Sequence, residues 1–324
     1  MYWLFAASAC APMTQGRFEK LDISLQPHFD VENAFFYAND GAPLGLSVWG
    51  LDKNPKPETV IVGVHGMNDY AGAFRWSAPF WAEEGVVTYA YDQRGFGRSP
   101  NFGVWPEEEL MRDDLRTAVR IARDRHPDAE IAVLGVSMGA AVAMTAFASG
   151  EPPEADVLIL SGPGFRGWGA LPLVYQASLW TSAHVRPDWV VRPPKGIKVT
   201  PTDNREVLQV HWEDPYFQKT NRIDSVHGVV TVMERAHEVA RRLPSHIPTL
   251  ALYGGRDQIV PLAGVKRTTK RLPGHVKTAY YPNGYHMLLR DLGRQALLED
   301  VLSFARDPSA ELPSNPPEWP WRGQ

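Results

Sequence analysis

The sequence predicts an α/β domain: a mostly parallel, eight-stranded sheet with helices on both faces. Three observations carry that prediction. Short β-branched runs fit for buried strands alternate with stretches of helical periodicity, the pattern of a parallel sheet with crossover helices. One run, Ile131–Leu134, leads through Gly135-Val136-Ser137-Met138-Gly139 into the small-residue stretch Ala140–Ala146. The alternation breaks once, between about Phe165 and Pro244, in a span rich in Trp and Pro.

The elements follow in order. Phe35–Tyr37 and Leu44–Trp49 flank Asn39-Asp40-Gly41, a hairpin signal. Thr59–Val64 and Gly85–Tyr91 are the next strands. A helix runs from about Glu107 to Arg125, with Met111, Leu115, Ala118, Val119 and Ala122 on one face, and His126-Pro127 stops it. Ile131–Leu134 and Val157–Leu160 are strands, as are Thr249–Tyr253 and Val276–Tyr281. A further helix, about Ser225 to Arg242, carries the stripe Val226, Val229, Val230, Met233, Ala236 and Ala240. The domain layout expected is a leader at 1–20, a core at 21–164 and 245–306, a cap insertion at 165–244 and a Pro-rich tail at 307–324 with Trp319 and Trp321 docking on the body. The cap would lie over the C-terminal strand ends, where ligands bind in such sheets. The alternative is an ordinary helical layer of the core.

Composition narrows the function. The net charge of −4 and the lack of any large Lys/Arg cluster argue against nucleic acid as a partner. One cysteine excludes a disulfide framework and a thiolate metal site. The ten histidines include no HxH or HExxH pair, so no metal site is expected. The chain begins with a short apolar run, Tyr2–Ala9, ending in small residues before Cys10. That resembles the lipobox of bacterial lipoproteins and implies membrane anchoring through a lipidated Cys10, at the cell envelope. Ala7 stands where Leu is usual and no Lys or Arg precedes the run. The other reading is a leader with a bystander cysteine and a cytoplasmic enzyme.

The chemistry centres on Ser137. Strand, GxSxG and helix together make a turn so sharp that the serine is strained and its hydroxyl stands clear of the sheet. A serine is a weak nucleophile and needs a base, and the base needs an orienting carboxylate. For an elbow serine the order is serine, acid, histidine, with the acid at a strand end and the histidine after the last strand. Asp257, after Tyr253-Gly254-Gly255-Arg256, and His286, after Pro282-Asn283-Gly284-Tyr285, occupy those places. Taken singly, Asp257 could cap a helix and His286 could be a loop residue.

An acyl transfer also needs amides for the oxyanion. Met138 supplies one, and Met67, in His65-Gly66-Met67-Asn68-Asp69, the second. His65 is expected to hold that loop rather than act as base, and Asp69 lies one residue too close for an H-x4-D acyltransferase motif. Gly162-Pro163-Gly164-Phe165-Arg166-Gly167 matches GxGxxG formally. Pro163 removes an amide that could cradle phosphate, and no acidic residue follows at the expected distance. Asp92 and the arginines of Asp92–Ser99 are expected to brace the rim of the site.

The stretches VHGMNDYAGAFRW (64–76), YDQRGFGRSP (91–100), GVSMGAAVAM (135–144), YGGRDQIVP (253–261) and NGYHMLL (283–289) resemble the α/β-hydrolase family. More closely they are similar to its monoacylglycerol lipase and lysophospholipase branch, the serine aminopeptidase S33-like hydrolases. The resemblance spans most of 59–305, with the cap matching only loosely. It implies the α/β-hydrolase fold, a Ser137–Asp257–His286 triad, and an oxyanion hole at Met67 and Met138. It also implies hydrolysis of small lipophilic esters without a cofactor. Val136 and Ala140 depart from the Glu and Gly common in relatives, which leaves substrate preference open. Trp168, Trp180 and Met287 are expected to contact the substrate. A peptidase or lactonase on the same fold, or a non-catalytic binding protein, remain open alternatives. A peptidase would want cap carboxylates for the substrate's amine, and Glu206, Glu213 and Asp214 are available.

Overall fold

The computed structural model describes residues 12–19, 26–192 and 199–323. Cys10 and the apolar leader lie outside the described residues. The strands are β1 (His28–Asp30), β2 (Phe35–Tyr37), β3 (Pro43–Trp49), β4 (Thr59–Val64), β5 (Val86–Tyr91), β6 (Glu130–Val136), β7 (Val157–Ser161), β8 (Val190–Val191), β9 (Asn221–Arg222), β10 (Thr249–Gly254) and β11 (Lys277–Tyr281). The α-helices are α1 (Ala78–Glu83), α2 (Glu108–Arg125), α3 (Met138–Phe147), α4 (Leu173–Val185), α5 (Arg205–Glu213), α6 (Ile223–Val239), α7 (Leu262–Thr269) and α8 (Arg294–Arg306).

The main sheet has nine strands in the order β1-β2-β3-β5-β4-β6-β7-β10-β11. From β5 to β11 all neighbours pair in parallel, while β1, β2 and β3 form an antiparallel edge. The prediction of eight is short by one: β1 is only His28-Phe29-Asp30, and its single buried apolar side chain gives no periodicity to read. The expected hairpin forms, with Gly41 at φ 82° and its amide on the Ala38 carbonyl at 2.9 Å.

Both faces of the sheet are covered because each central strand is apolar on both sides. Val60, Val62 and Val64 of β4 join one core with Met111 and Leu115 of α2 and Ala141 and Met144 of α3. Ile61 joins the other, with Trp81 of α1 and Leu298 and Val301 of α8. This is the period-two alternation of a strand.

Between β7 and β10, which pair directly, the chain leaves the sheet to build α4, β8, α5, β9 and α6, with β8 and β9 pairing antiparallel around α5. The expected cap at 165–244 needs correction at its end. Val232, Met233, Ala236 and Ala240 enter the main core, where α6 packs on α3. α6 therefore belongs to the core along its C-terminal half, and the cap ends within the helix. The tail runs back along β11: the Tyr280 amide donates to Pro317 O at 2.8 Å, and Trp319 is buried with its indole N–H on Ala279 O at 3.0 Å.

The strand order reverses between β4 and β6, since β5 lies on one side and β7 on the other. A crevice forms at such a switch point, outside the C-terminal strand ends. The loop after β4 and the turn after β6 meet there.

Candidate active site

Ser137 links β6 to α3 at φ 52° and ψ −112°, a conformation that costs a non-glycine residue on the order of 1–3 kcal/mol. Its backbone is fixed from several sides. The Ser137 amide donates to Ser161 O at 3.0 Å, and Ser137 O accepts from Gly164 N at 3.0 Å. The flanking glycines are steric necessities. A Cβ on Gly139 would lie 2.1 Å from Val64 O, and one on Gly135 would lie 2.7 Å from the Ala140 Cα.

The structure brings the three triad candidates together. Asp257 occupies the turn after β10, with its side chain fully buried. Its Oδ1 accepts from the amides of Ile259 (2.7 Å) and Val260 (3.0 Å), and its Oδ2 faces His286 Nδ1 at 2.7 Å. His286 lies beyond β11, and its Nε2 is 3.0 Å from Ser137 Oγ. The carboxylate keeps the imidazole proton on Nδ1, so the Nε2 lone pair faces the serine hydroxyl.

Gly66 carries the β4 loop against the nucleophile, since a Cβ there would sit 3.2 Å from Ser137 Cβ. Met67 and Ser137 line the same cavity. Met138 opens α3, so its amide is one of the first-turn donors that lack an intrahelical acceptor. His65 is fully buried and both ring nitrogens are used: Nδ1 donates to Gly66 O and Nε2 accepts from Gln93 N, each at 2.8 Å. Burial pushes its pKa down, which keeps the ring neutral. It shapes the loop and is not free to act as a base. Asp92 binds the Ala71 amide (2.9 Å) and the Arg98 side chain (2.8 Å), bracing the next stretch of that loop.

A cavity of about 790 Å³ opens on Ser137. α4 offers Tyr175, Ser178, Leu179 and Ser182, spaced as one helical face, and α6 offers Val226, Val229, Val230 and Met233. Ile259, Val260 and Trp189 add to an apolar lining in which, among the described residues, Arg166 is the one charged side chain. The three residues expected to touch substrate lie elsewhere. Trp180 falls off the inner face of α4 and stacks on His184 at 4.1 Å, exposed. Trp168 donates its indole N–H to Thr231 Oγ1 at 3.1 Å. Met287 ties its loop to the segment before α5, its amide donating to Pro201 O at 2.9 Å. For Trp180 the reason is visible in α4: its apolar and polar residues are spread evenly around the helix, so nothing in the periodicity marks which face points inward.

A polar cluster just beyond Met67 in the same loop is not legible in the sequence. Arg290, 3 % exposed, forms an ion pair with Asp69 and donates to His211 Nε2 at 2.8 Å. Asp214 accepts from Tyr70 Oη (2.6 Å) and Arg75 Nη2 (2.8 Å). The Gln218 amide donates to Asn68 O at 2.8 Å. Burial works to raise the Asp69 carboxyl, but the charge of Arg290 outweighs it and holds the group below its ordinary range. Burial, then the charge of Arg290, push the His211 imidazole down to about 4.

A nine-stranded sheet with a strained elbow serine, a histidine at its hydroxyl and a buried aspartate behind define a serine hydrolase of the α/β class. The model of the family described as serine aminopeptidase, S33, matches residues 55–293, and the chain belongs to that family. It is similar to a monoacylglycerol lipase of Mycolicibacterium smegmatis, 27 % identical over 273 residues, covering 82 % of this chain and 93 % of the relative. It is also similar to the phospholipase YtpA of Bacillus subtilis, 24 % identical over 260 residues, covering 78 % and 96 %. Among solved structures, a monoacylglycerol lipase of Paleococcus ferrophilus shares the fold with a TM-score of 0.67 at 20 % identity, covering 81 % of this chain and 98 % of that one. A thermostable carboxyl esterase of Bacillus coagulans does so at 0.66 and 23 %, covering 83 % and 96 %.

Proposed function

We propose that this chain hydrolyses carboxylic esters of lipophilic alcohols or of glycerol through an acyl-enzyme. The observation that carries the reading is the apolar cavity reaching Ser137, sized for an acyl chain and, among the described residues, lined by no carboxylate. An aminopeptidase must neutralise its substrate's ammonium. None of the candidates for that task lines the cavity: Asp214 is occupied by Tyr70 and Arg75, Glu213 by Gln209 at 3.0 Å, and Glu206 is exposed on α5.

In the reaction, His286 Nε2 takes the hydroxyl proton as Ser137 Oγ bonds to the ester carbonyl carbon. Asp257 holds the ring and stabilises the imidazolium. The amides of Met67 and Met138 receive the oxyanion. Collapse breaks the ester C–O bond, and His286 returns the proton to the departing alcohol. Water, deprotonated by the same nitrogen, then releases the acid and restores the serine.

The test is hydrolysis of a monoacylglycerol series from short to long chains against matched aminoacyl amides, with Ser137→Ala as control. Turnover peaking on glycerol monoesters and absent in the variant supports the reading. Turnover confined to amides replaces it with a peptidase. Location is part of the proposal: a lipidated Cys10 would hold the enzyme at the cell envelope beside its substrate. Incorporation of a fatty-acid label that Cys10→Ser abolishes would support it, and an unlabelled wild type would remove it.

A further inference from the structure

We propose that Arg290 is a positioning residue for the reaction: by clamping Asp69 and His211 it holds the oxyanion loop, the histidine loop and the cap in one register, and so fixes the Met67 amide against Ser137. The inference rests on the ester-hydrolase reading above and deepens it.

The donor at Met67 has a geometric difficulty. Met138 is held by α3, which is anchored in the core along its length. Met67 lies on a loop between β4 and the short turn at Ala71–Trp76, with Asn68 at φ 68°. An oxyanion donor is useful only when fixed within a few tenths of an ångström of where the charge develops. Something beyond the loop's own chain must therefore hold it.

Arg290 lies where that hold is needed. Its guanidinium pairs with Asp69, two residues beyond Met67, and its backbone lies four residues beyond His286. Both partners of the pair are nearly inaccessible, 4 % and 5 % exposed, so the attraction is little screened. The Arg290 carbonyl accepts from Asn204 Nδ2 at 3.0 Å, and its amide donates to Met287 O at 2.8 Å, which fixes the main chain as well. The remaining guanidinium edge donates to His211 Nε2 at 2.8 Å, on the cap helix α5. Because the arginine can only donate, His211 accepts, and its ring is neutral with the proton on Nδ1. Phe217 stacks on that ring at 4.3 Å, and Gln218 then reaches the carbonyl of Asn68, next to Met67. The path leaves Asp69, passes through Arg290, His211 and Phe217, and returns to Asn68. Met67 is attached to this closed circuit on one side and to Gly66, against Ser137, on the other.

A lysine could supply the charge but not the fork that serves a carboxylate and an imidazole in two directions at once. The proposal therefore distinguishes geometry from charge. The test compares wild type with Arg290→Lys, Arg290→Met and His211→Leu, each first checked for the wild-type circular dichroism spectrum. Each is assayed for ester turnover, for inhibition by a trifluoromethyl ketone of the acyl chain, and for binding of the matching non-hydrolysable ether. The ketone forms a tetrahedral adduct that uses the oxyanion hole, whereas the ether does not.

The expected result for Arg290→Met is a kcat lower by about 10²-fold, the scale of losing one oxyanion donor, with KM within about threefold. The ketone's inhibition constant should rise in step with the loss in kcat/KM, while ether affinity stays level. His211→Leu should show the same pattern at about tenfold, and Arg290→Lys should fall between. Equal weakening of ketone and ether would overturn the proposal, because it would mean a deformed pocket. Unchanged turnover in folded variants would overturn it too. Should Arg290→Met not fold, His211→Leu carries the test alone. If wild type leaves esters intact, the ester reading has failed, and the rate of Ser137 labelling by a fluorophosphonate still ranks the variants.

Discussion

The segment between β7 and β10 meets the rest of the molecule through two unlike walls. On one side Asp69, Arg290, His211, Asp214 and Tyr70 lock cap to core through directional, buried polar contacts. On the other, α4 and the first half of α6 meet across an apolar cavity, and α4 turns Leu173, Val174 and Trp180 out to solvent. A charged, hydrogen-bonded contact has one good geometry and weakens steeply away from it. An apolar contact tolerates sliding and repacking at little cost. The contrast assigns precision to the side that holds the Met67 loop and adaptability to the side that lines the cavity.

The largest effect that can break this picture is at the nucleophile. Ser137→Ala should lower kcat by on the order of 10⁴–10⁶, with an unchanged melting temperature, read from initial rates and thermal unfolding. Retained esterase activity would sink the assignment. Gly139→Ala should come next, since its methyl would meet the Val64 carbonyl at 2.1 Å, which is backbone and cannot step aside. A stability loss of about 3 kcal/mol or more is expected from urea unfolding.

On the apolar wall, Leu179→Trp should shorten the cavity by about three methylenes. That corresponds to roughly 2 kcal/mol, or some 30-fold in kcat/KM, for the longest monoacylglycerols and little for the shortest. Trp180→Ala, one residue away but turned outward, should change turnover of a soluble short-chain ester less than about twofold. Equal effects of the two would show that the faces of α4 are wrongly assigned.

The smallest effect concerns the polar wall and pH. Folding lowers the His211 pKa from 6.5 to about 4. Between those values the unfolded chain takes up a proton that the folded chain refuses. The contribution is therefore whole above about pH 6.5 and is lost as pH falls towards 4. The urea midpoint of wild type should drop across that window more steeply than that of His211→Gln. Parallel slopes would mean that His211 is not held neutral by this wall.

The two walls also differ in how far the sequence reveals them. The elbow, the strand before it and the strand-end settings of Asp257 and His286 are local patterns, each readable within about ten residues, and the known order of serine, acid and histidine joins them. The polar wall is not local. Arg290 is 221 residues from Asp69 and 79 from His211, and each of the three is unexceptional in its own segment. No periodicity or spacing in a single chain joins them. The lining of the apolar wall is half legible: Val226, Val229, Val230 and Met233 declare their face on α6, whereas α4 conceals its own by spreading apolar and polar residues evenly around the helix. Tryptophan content drew the sequence reading to Trp168 and Trp180, yet bulk does not say which way a side chain points.

The docked tail bears on how copies of this chain behave towards one another. β11 is the last strand of the sheet, and an open strand edge invites pairing with another molecule. Pro317 takes up the Tyr280 amide, and Trp319 and Trp321 crowd over Tyr253 and the strand beside it. These few residues act as a guard against edge-to-edge association, far from the reacting serine. A chain cut before Pro317 would show the loss first as aggregation, at concentrations where its hydrolysis still looks normal.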